Sequence, residues 1–383
     1  MRPWSLVHII TRLELGGAQR ATLYEIANSQ FGATRHLLYG PGGMLDAEAQ
    51  ALPGVQCIPV PDLVRELNPR RDLRALWHIT RILRHLRGVG GRLLVHTHSS
   101  KAGIIGRVAA RLAGAEVVVH SIHGFGHTHH GSALTRRVLT VAEQIAGRLT
   151  DGFTADSAAN FRQGRREGLL GRAQLQVAYC GIDVSDYAPA DRGAARTALG
   201  LPPDNPVVLS ICCLKPQKAP ESIVAVARIV LAQHPQTTFL IAGDGECRPT
   251  VEAAIRAAGL AQRVQILGWR HDIPQLLQAA SIFLLTSLWE GLPQTFFQAM
   301  ATALPIVATR VDGAPEAVVH GQTGYLFAPT DHPGLARAVS QILTDPHLAA
   351  RLGQAGLAKV PQFSAATMLQ NVEHLYATLT TPR

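Results

Sequence analysis

From end to end the chain alternates short β-branched runs with stretches of helical periodicity, and this alternation constrains its fold more than any other feature. Strands separated by helix-length segments specify βαβ units, and βαβ units build parallel sheets. In the first half, strands are expected at Leu6–Thr11, Thr34–Tyr39, Gln56–Val60, Arg92–His96, Glu116–His120, Gly152–Ala155 and Gln176–Ala178. Helices are expected between them. The segment Lys101–Leu112, for example, repeats Ile104, Ile105, Val108 and Leu112 at spacings of three and four, with Arg107 and Arg111 on the other side.

Residues Asp183–Pro206, rich in Ala, Pro, Asp and Gly, lack a long apolar period and read as a linker. A second αβ series then begins, with strands expected at Val207–Ile211, Thr238–Ala242, Val264–Leu267, Ser281–Leu285 and Pro305–Ala308. A chain of 383 residues exceeds what one core accommodates, so two domains are expected. Near the end, Ser364 can cap a helix whose stripe is Met368, Leu369, Val372, Leu375, Tyr376 and Leu379. Two tandem doubly wound domains direct the search for a site to loops that follow strands.

No apolar stretch approaches the roughly 20 residues of a membrane-spanning helix. The run Leu6–Ile10 is interrupted by His8 and followed by Arg12, which suits a first strand better than a secretory signal. Five cysteines, without a CxxC pair or zinc spacing, fit a reducing cytoplasm. The net charge of +9 is unevenly spread. Met1–Ile182 holds 22 Lys and Arg against 12 Asp and Glu, whereas the remainder holds 14 against 15. Such asymmetry points to an anionic partner of the first half, either a phosphorylated acceptor or an acidic lipid surface. Across Arg70–Arg87 the apolar stripe Leu73, Leu76, Ile79, Leu83 and Leu86 lies opposite Arg70, Arg74, Arg81, Arg84 and Trp77. That helix suits either a headgroup surface or packing on its own sheet with a solvated basic face.

Several post-strand loops carry chemistry. In Ser281–Met300 a strand leads into Trp289, Glu290, Gly291, Leu292 and Pro293, and then into a helix. Pro293 marks the helix start, and the free amides and positive dipole end there suit a diphosphate or sugar hydroxyls. Gln298, eight positions after Glu290, falls two turns into that helix. Gly16 and Gly17 follow the first strand and offer bare amides ahead of the helix Ala18–Ala27. His120, His123, His127, His129 and His130 fall within eleven residues. Without an accompanying Asp-x-Asp, no metal site is assigned to this tract, and His127–His130 are read as part of a cleft-side loop.

These stretches resemble the family 4 (group 1) retaining glycosyltransferases. Residues 289–298 are similar to that family's EGLP loop and Glu-x7-Glu motif, with Gln298 in place of the second Glu. The segment CCLKPQKAP, Cys212–Pro220, resembles its RLxxxKG loop: Lys218 matches the Lys, Cys213 replaces the Arg, and Lys215 is the nearby substitute charge. Gly243, Asp244 and Gly245 match a GDG turn, and Val311–Gly324 resembles the segment after the Glu motif. THSSKAG, HGF and the Gly16–Gly17 pair match segments of the first domain, and His123 aligns with a histidine near the transferred sugar.

The resemblance implies the GT-B fold: two Rossmann-like α/β domains facing a cleft, at residues 1–185 and 186–362, with a helix at 363–383 crossing back to the first. It implies a hexosyltransferase that takes sugar from a nucleotide-sugar donor with retention of configuration, in cell-surface polysaccharide or glycolipid synthesis. The donor would be held by Gly16, Gly17, Lys215, Lys218, Gly243, Gly245, Glu290, Gly291, Leu292, Pro293 and Gln298. Of these, Glu290 would orient the sugar, with His123 beside it. No cofactor or catalytic metal is implied. The expected acceptor is lipid-linked or anionic, with peripheral membrane contact through the first domain and no nucleic acid partner. Cys213 and Gln298 keep open the alternative of a weakened nucleotide-sugar-binding subunit of the same fold, and a nucleotide-sugar epimerase on the same scaffold is a third reading.

Overall fold

The computed structural model describes residues 3–125 and 132–381, so His127, His129 and His130 lie outside the described residues. The chain divides into two compact units, Met1–Gly181 with Ala365–Arg383, and Ile182–Ser364.

The first unit runs β1 (Trp4–Arg12), α1 (Gly17–Asn28), β2 (Thr34–Gly40), α2 (Asp46–Gln50), β3 (Val55–Pro59), α3 (Pro69–Gly90) and β4 (Arg92–His98). It continues with α4 (Ser100–Ala113), β5 (Val117–Ile122), α5 (Ala133–Arg148), β6 (Gly152–Ala155), α6 (Ala158–Arg166) and β7 (Gln174–Val177). All seven expected strands form one parallel sheet in the order β3-β2-β1-β4-β5-β6-β7. β1 is buried from Ser5 to Thr11, as a central strand covered on both faces should be.

The second unit runs α7 (Arg192–Ala198), β8 (Val207–Ile211), α8 (Pro220–Gln233), β9 (Thr238–Ala242), α9 (Arg248–Ala257), β10 (Val264–Gly268) and α10 (Ile273–Ala279). β11 (Ile282–Leu285), α11 (Gln294–Ala301), β12 (Ile306–Thr309), α12 (Ala314–Ala317), β13 (Gly324–Phe327), α13 (His332–Thr344) and α14 (Pro346–Lys359) follow. Its sheet is also parallel, in the order β10-β9-β8-β11-β12-β13. The last helix, α15 (Ala365–Thr380), belongs to the first unit, where Met368, Val372, Leu375 and Tyr376 join its core.

Three expectations need correction. The linker is partly structured: α7 packs on α10, anchored by buried Arg196, whose Nε donates to Ala279 O at 3.0 Å and whose Nη2 donates to Ser281 Oγ at 3.0 Å. β13 was not expected, because it has only four residues and lies at the sheet edge, half-buried at Tyr325 and Phe327. Helix α4 turns the other way. Its buried side is Ala102, Gly103, Gly106, Arg107, Ala109, Ala110 and Ala113, while Leu112 is exposed. Close approach explains this: a Cβ at Gly103 would stand 2.5 Å from His120 Cε1, so the small side must face the sheet. Arg107 is carried inward and pairs with Glu143.

Candidate functional site

In the second unit the strand order reverses between β8 and β11, which pair directly. Loops leaving such strands diverge and open a crevice at the carboxyl edge of the sheet. The loop after β8 carries Lys215 and Lys218, and the loop after β11 carries Glu290 through Pro293. The two loops are stitched together. Leu288 N donates to Gln217 O at 2.8 Å, Gln217 Nε2 to Trp289 O at 3.0 Å, and Thr286 Oγ1 to Lys218 O at 3.1 Å.

The stitching brings Lys218 Nζ onto Glu290 Oε1 as an ion pair. Ser287 Oγ donates to the same oxygen at 2.6 Å, and Asp312 Oδ2 accepts from Glu290 N at 2.7 Å. The Glu290 side chain is 7% exposed and that of Lys218 19%. Each charge therefore depends on the other, because an unpaired ion there would lack the water it gave up. Ala219 (φ 41°) and Asp312 (φ 37°) both adopt left-handed backbone, strain held in place beside the pair.

Around this pair, Gly243 (φ 138°) lies under the Lys218 loop, and a Cβ there would stand 1.9 Å from Cys212 O. The adjoining Gly245 also has positive φ, and Leu214 N donates to Asp244 O at 2.9 Å. These glycines let the turn after β9 support the Lys218 loop from below. Lys215 is exposed at the start of the turn Pro216–Lys218. Cys213 donates its thiol to Asp244 O at 3.3 Å, as a small residue at a strand end can. Pro293 is the N-cap of α11, Leu292 is buried and Gly291 half-buried. Gln298 donates its amide to Tyr187 Oη at 2.9 Å.

In the first unit the strand order reverses between β1 and β4. Gly16 is the N-cap of α1, with no side-chain cap, and Gly17 opens that helix. His123 follows β5, with its side chain 12% exposed, and its Nδ1 lies 3.1 Å from both oxygens of Asp156. Its Nε2 meets His98 Nδ1 at 3.3 Å, and His98 Nε2 meets His8 Nδ1 at 3.0 Å. His8 Nε2 then meets Tyr376 Oη at 3.3 Å, which meets His96 Nδ1 at 2.6 Å, while His96 Nε2 meets Ser121 Oγ at 2.8 Å. The result is one continuous buried relay of four imidazoles and a phenol.

With neutral rings, one direction satisfies every atom: each imidazole donates from Nδ1 and accepts at Nε2, ending on the Asp156 carboxylate. Burial drives the pKa of His8 down to about 3, and that of His96 and His98 well below the usual histidine range. His123 goes the other way. Burial lowers it, but the charge and hydrogen bond of Asp156, together with Glu25, more than offset burial and raise it. Glu25, buried on α1, is pushed up to about 8 by desolvation. Its Oε2 has no hydrogen-bond partner among the described residues; His96 Nδ1 and His98 Nε2 stand 3.8 and 3.9 Å away.

Two sets of side chains among the described residues bring metal-binding atoms within 4.8 Å of one another: His8, Glu25, His96 and His98, and His123, Asp156 and Cys180. The ring nitrogens of both sets that face one another are already engaged in the relay.

Sequence reasoning located His123, Lys218 and Glu290 but missed Asp156, His98, Ser287 and Asp312. Asp156, His98 and Asp312 come from a neighbouring strand or loop and are close only in space, whereas Ser287 lies three residues before Glu290 in the same loop. The one available signal was the alternation His96–Thr97–His98, which puts two histidines on one face of a strand.

Residues 191–359 match the family described as glycosyl transferases group 1, and residues 23–186 match Glycosyltransferase Family 4. The chain is 30% identical over 348 residues to the UDP-Gal:alpha-D-GlcNAc-diphosphoundecaprenol alpha-1,3-galactosyltransferase of Escherichia coli, covering 89% of this chain and 88% of that protein. It is 30% identical to the alpha-D-kanosaminyltransferase of Streptomyces kanamyceticus, over 73% of this chain and 75% of that one. Among solved structures it resembles Anabaena Alr3699/HepE in complex with UDP and glucose, with a TM-score of 0.83 at 23% identity, covering 98% of this chain and 99% of the other. Both parallel sheets, the loops at their reversal points and these relatives agree, and the chain belongs to the family 4 (group 1) glycosyltransferases, enzymes of the GT-B fold.

Proposed function

We propose that this glycosyltransferase moves a hexosyl group from a nucleoside-diphosphate sugar to a lipid-linked, anionic acceptor, with retention of configuration and without a catalytic metal. The observation that carries this reading is the Lys218–Glu290 pair at the reversal point of the second sheet. An arriving diphosphate competes with Glu290 for Lys218, and a carboxylate released from its ion pair accepts hydrogen bonds from sugar hydroxyls. Lys218, with Lys215 and the amides that open α11, offsets the charge that grows on the departing diphosphate. His123, with both ring nitrogens engaged by Asp156 and His98, is assigned the role of an oriented positive charge for the donor and not of a hydrogen-bond donor to it. The anomeric carbon loses its bond to the diphosphate and gains one to the acceptor oxygen, whose proton passes to the departing phosphate.

The relative from E. coli is named for a galactose donor carried by UDP and an acceptor built on diphosphoundecaprenol, which favours UDP-hexoses and polyprenyl diphosphate acceptors. The basic first half suits such an acceptor and the anionic surface that carries it, which supports a working position at the inner face of the membrane. Among the described residues no helix is long and apolar enough to cross a membrane.

A thermal-shift panel of UDP-, GDP- and ADP-sugars, followed by nucleotide release with and without lipid-linked acceptor, tests the reading. A ligand at about 100 times its Kd stabilises by about 2.7 kcal/mol, well within detection. Stabilisation by a UDP-sugar with acceptor-dependent UDP release is expected. Stabilisation without release would indicate the binding-subunit alternative, and release without acceptor the epimerase.

A further inference from the structure

The sequence directs attention to α3 as the helix most suited to lipid, but the structure buries most of its stripe: Ile79 and Leu83 are inaccessible and Leu76 and Leu86 are half-buried. The unburied apolar stripe is on α5. Leu134 (72% exposed), Val138 (59%), Val141 (46%) and Ile145 (52%) stand on one face of that helix at spacings of four, three and four. Its buried side carries Glu143, Ala146 and Gly147: Glu143 pairs with Arg107 of α4, and Gly147 lies against the Leu169 backbone. Residues 133–138 are exposed at every position except Thr135, so the first turns project from the body of the unit.

The charges of the helix are sorted in the same way. Its single carboxylate, Glu143, is turned inward onto fully buried Arg107. Arg137 and Arg148 are exposed and, at helical spacing, flank the apolar stripe. An apolar face edged by arginines and free of acidic groups complements a surface that is apolar beneath and negative on top, and it opposes association with an apolar patch of like charge.

We infer that α5 is the membrane-docking element of this enzyme, lying in the headgroup plane of an anionic bilayer with Leu134, Val138 and Val141 inserted and the arginines at phosphate level. The inference rests on the proposed lipid-linked acceptor, because an enzyme that must reach a headgroup-borne sugar gains from a helix that holds it at that plane. Binding of this kind scales with the apolar area inserted plus attraction to anionic lipid, so both parts can be removed separately.

The test is cosedimentation of the full chain with vesicles of phosphatidylcholine alone and of phosphatidylcholine with phosphatidylglycerol, at low and high salt. The wild type is expected to pellet with the anionic vesicles and to be partly released by salt. Leu134→Gln/Val138→Gln/Val141→Gln should lower partitioning at least about tenfold. Arg137→Gln/Arg148→Gln, which leaves the stripe whole, should remove the preference for anionic vesicles. All variants should keep the stabilisation that a UDP-sugar gives the wild type, with unchanged circular dichroism. Equal pelleting of the stripe variant and wild type would overturn the assignment. Release by Trp77→Gln on α3 instead, or a stripe whose only effect is to abolish self-association in sedimentation velocity, would overturn it as well. Loss of UDP-sugar binding with vesicle binding intact would instead sink the proposed reaction and leave this docking element standing.

Discussion

His123 Nδ1 lies 3.1 Å from both carboxylate oxygens of Asp156, so the two residues form a charge-assisted contact across neighbouring strands. Replacing Asp156 by Asn keeps the shape and removes the charge. A charged hydrogen bond contributes about 1.5–3 kcal/mol, so the His123 pKa should fall by about one to two units. The alkaline limb of the pH–rate profile should move to lower pH by the same amount with the melting temperature little changed. An unmoved limb would show that His123 takes no part in turnover.

The relay from His123 to His96 gives a spectroscopic prediction. When His123 gains a proton at Nε2 it must donate to His98, and each following ring must then donate from Nε2 instead of Nδ1. Nitrogen-15 shifts of His8, His96 and His98 should therefore change tautomer together as pH crosses the His123 transition, although none of the three becomes charged. Independent behaviour of the three rings would exclude a continuous relay.

Stability should pass through a maximum near the ordinary histidine pKa. Below about 6.5, the unfolded state protonates His8, His96, His98 and His120 while the buried rings stay neutral. The unfolded state then binds more protons, so stability falls on acidification. Glu25 acts oppositely: between the ordinary carboxyl value of 4.5 and about 8, the folded state keeps a proton that the unfolded state has lost, so this group removes stability as pH rises through that window. The raised pKa of His123 adds to the alkaline loss as pH climbs through its folded value. Glu25→Gln should flatten the decline between about 6.5 and 8 in melting curves and, by removing the opposing slope, steepen the rise between about 4.5 and 6.5.

For Lys218 and Glu290, each alone should be more damaging to lose than both together. Lys218→Met strands a buried carboxylate, at a cost of about 2–3 kcal/mol, whereas adding Glu290→Gln should recover most of it. Urea unfolding of the two single variants and the double variant measures the coupling. All three should lose transfer activity, since the pair is also the proposed donor contact. Additive destabilisation would mean that the ion pair contributes nothing to the fold.

Much of this was legible in the sequence, for a physical reason. Parallel strands buried on both faces read as continuous apolar runs, so twelve of the thirteen strands announced themselves and only the short edge strand β13 did not. Glu290 was visible because its loop is punctuated by Gly291 and Pro293, and Lys218 because its proline-marked loop, Cys212–Pro220, resembles a family motif. The orientation of α4 was not visible: periodicity shows that a helix has faces, but only the neighbouring sheet decides that Gly103 and Gly106 must face inward and take Arg107 with them. Contacts such as Asp156 with His123 join residues 33 positions apart, and spacing along the chain carries no trace of them.

The return of α15 to the first unit has a consequence for how the protein is made. Tyr376 closes the contact between His8 and His96, yet it emerges from the ribosome only after the whole second unit has been synthesised. Until then the first unit holds buried imidazoles with one partner missing, whereas the intervening unit can fold as an uninterrupted segment. The order of assembly is thus inverted relative to the order of translation. The far end of the relay, at His8 and His96, therefore closes only after the second unit has been made.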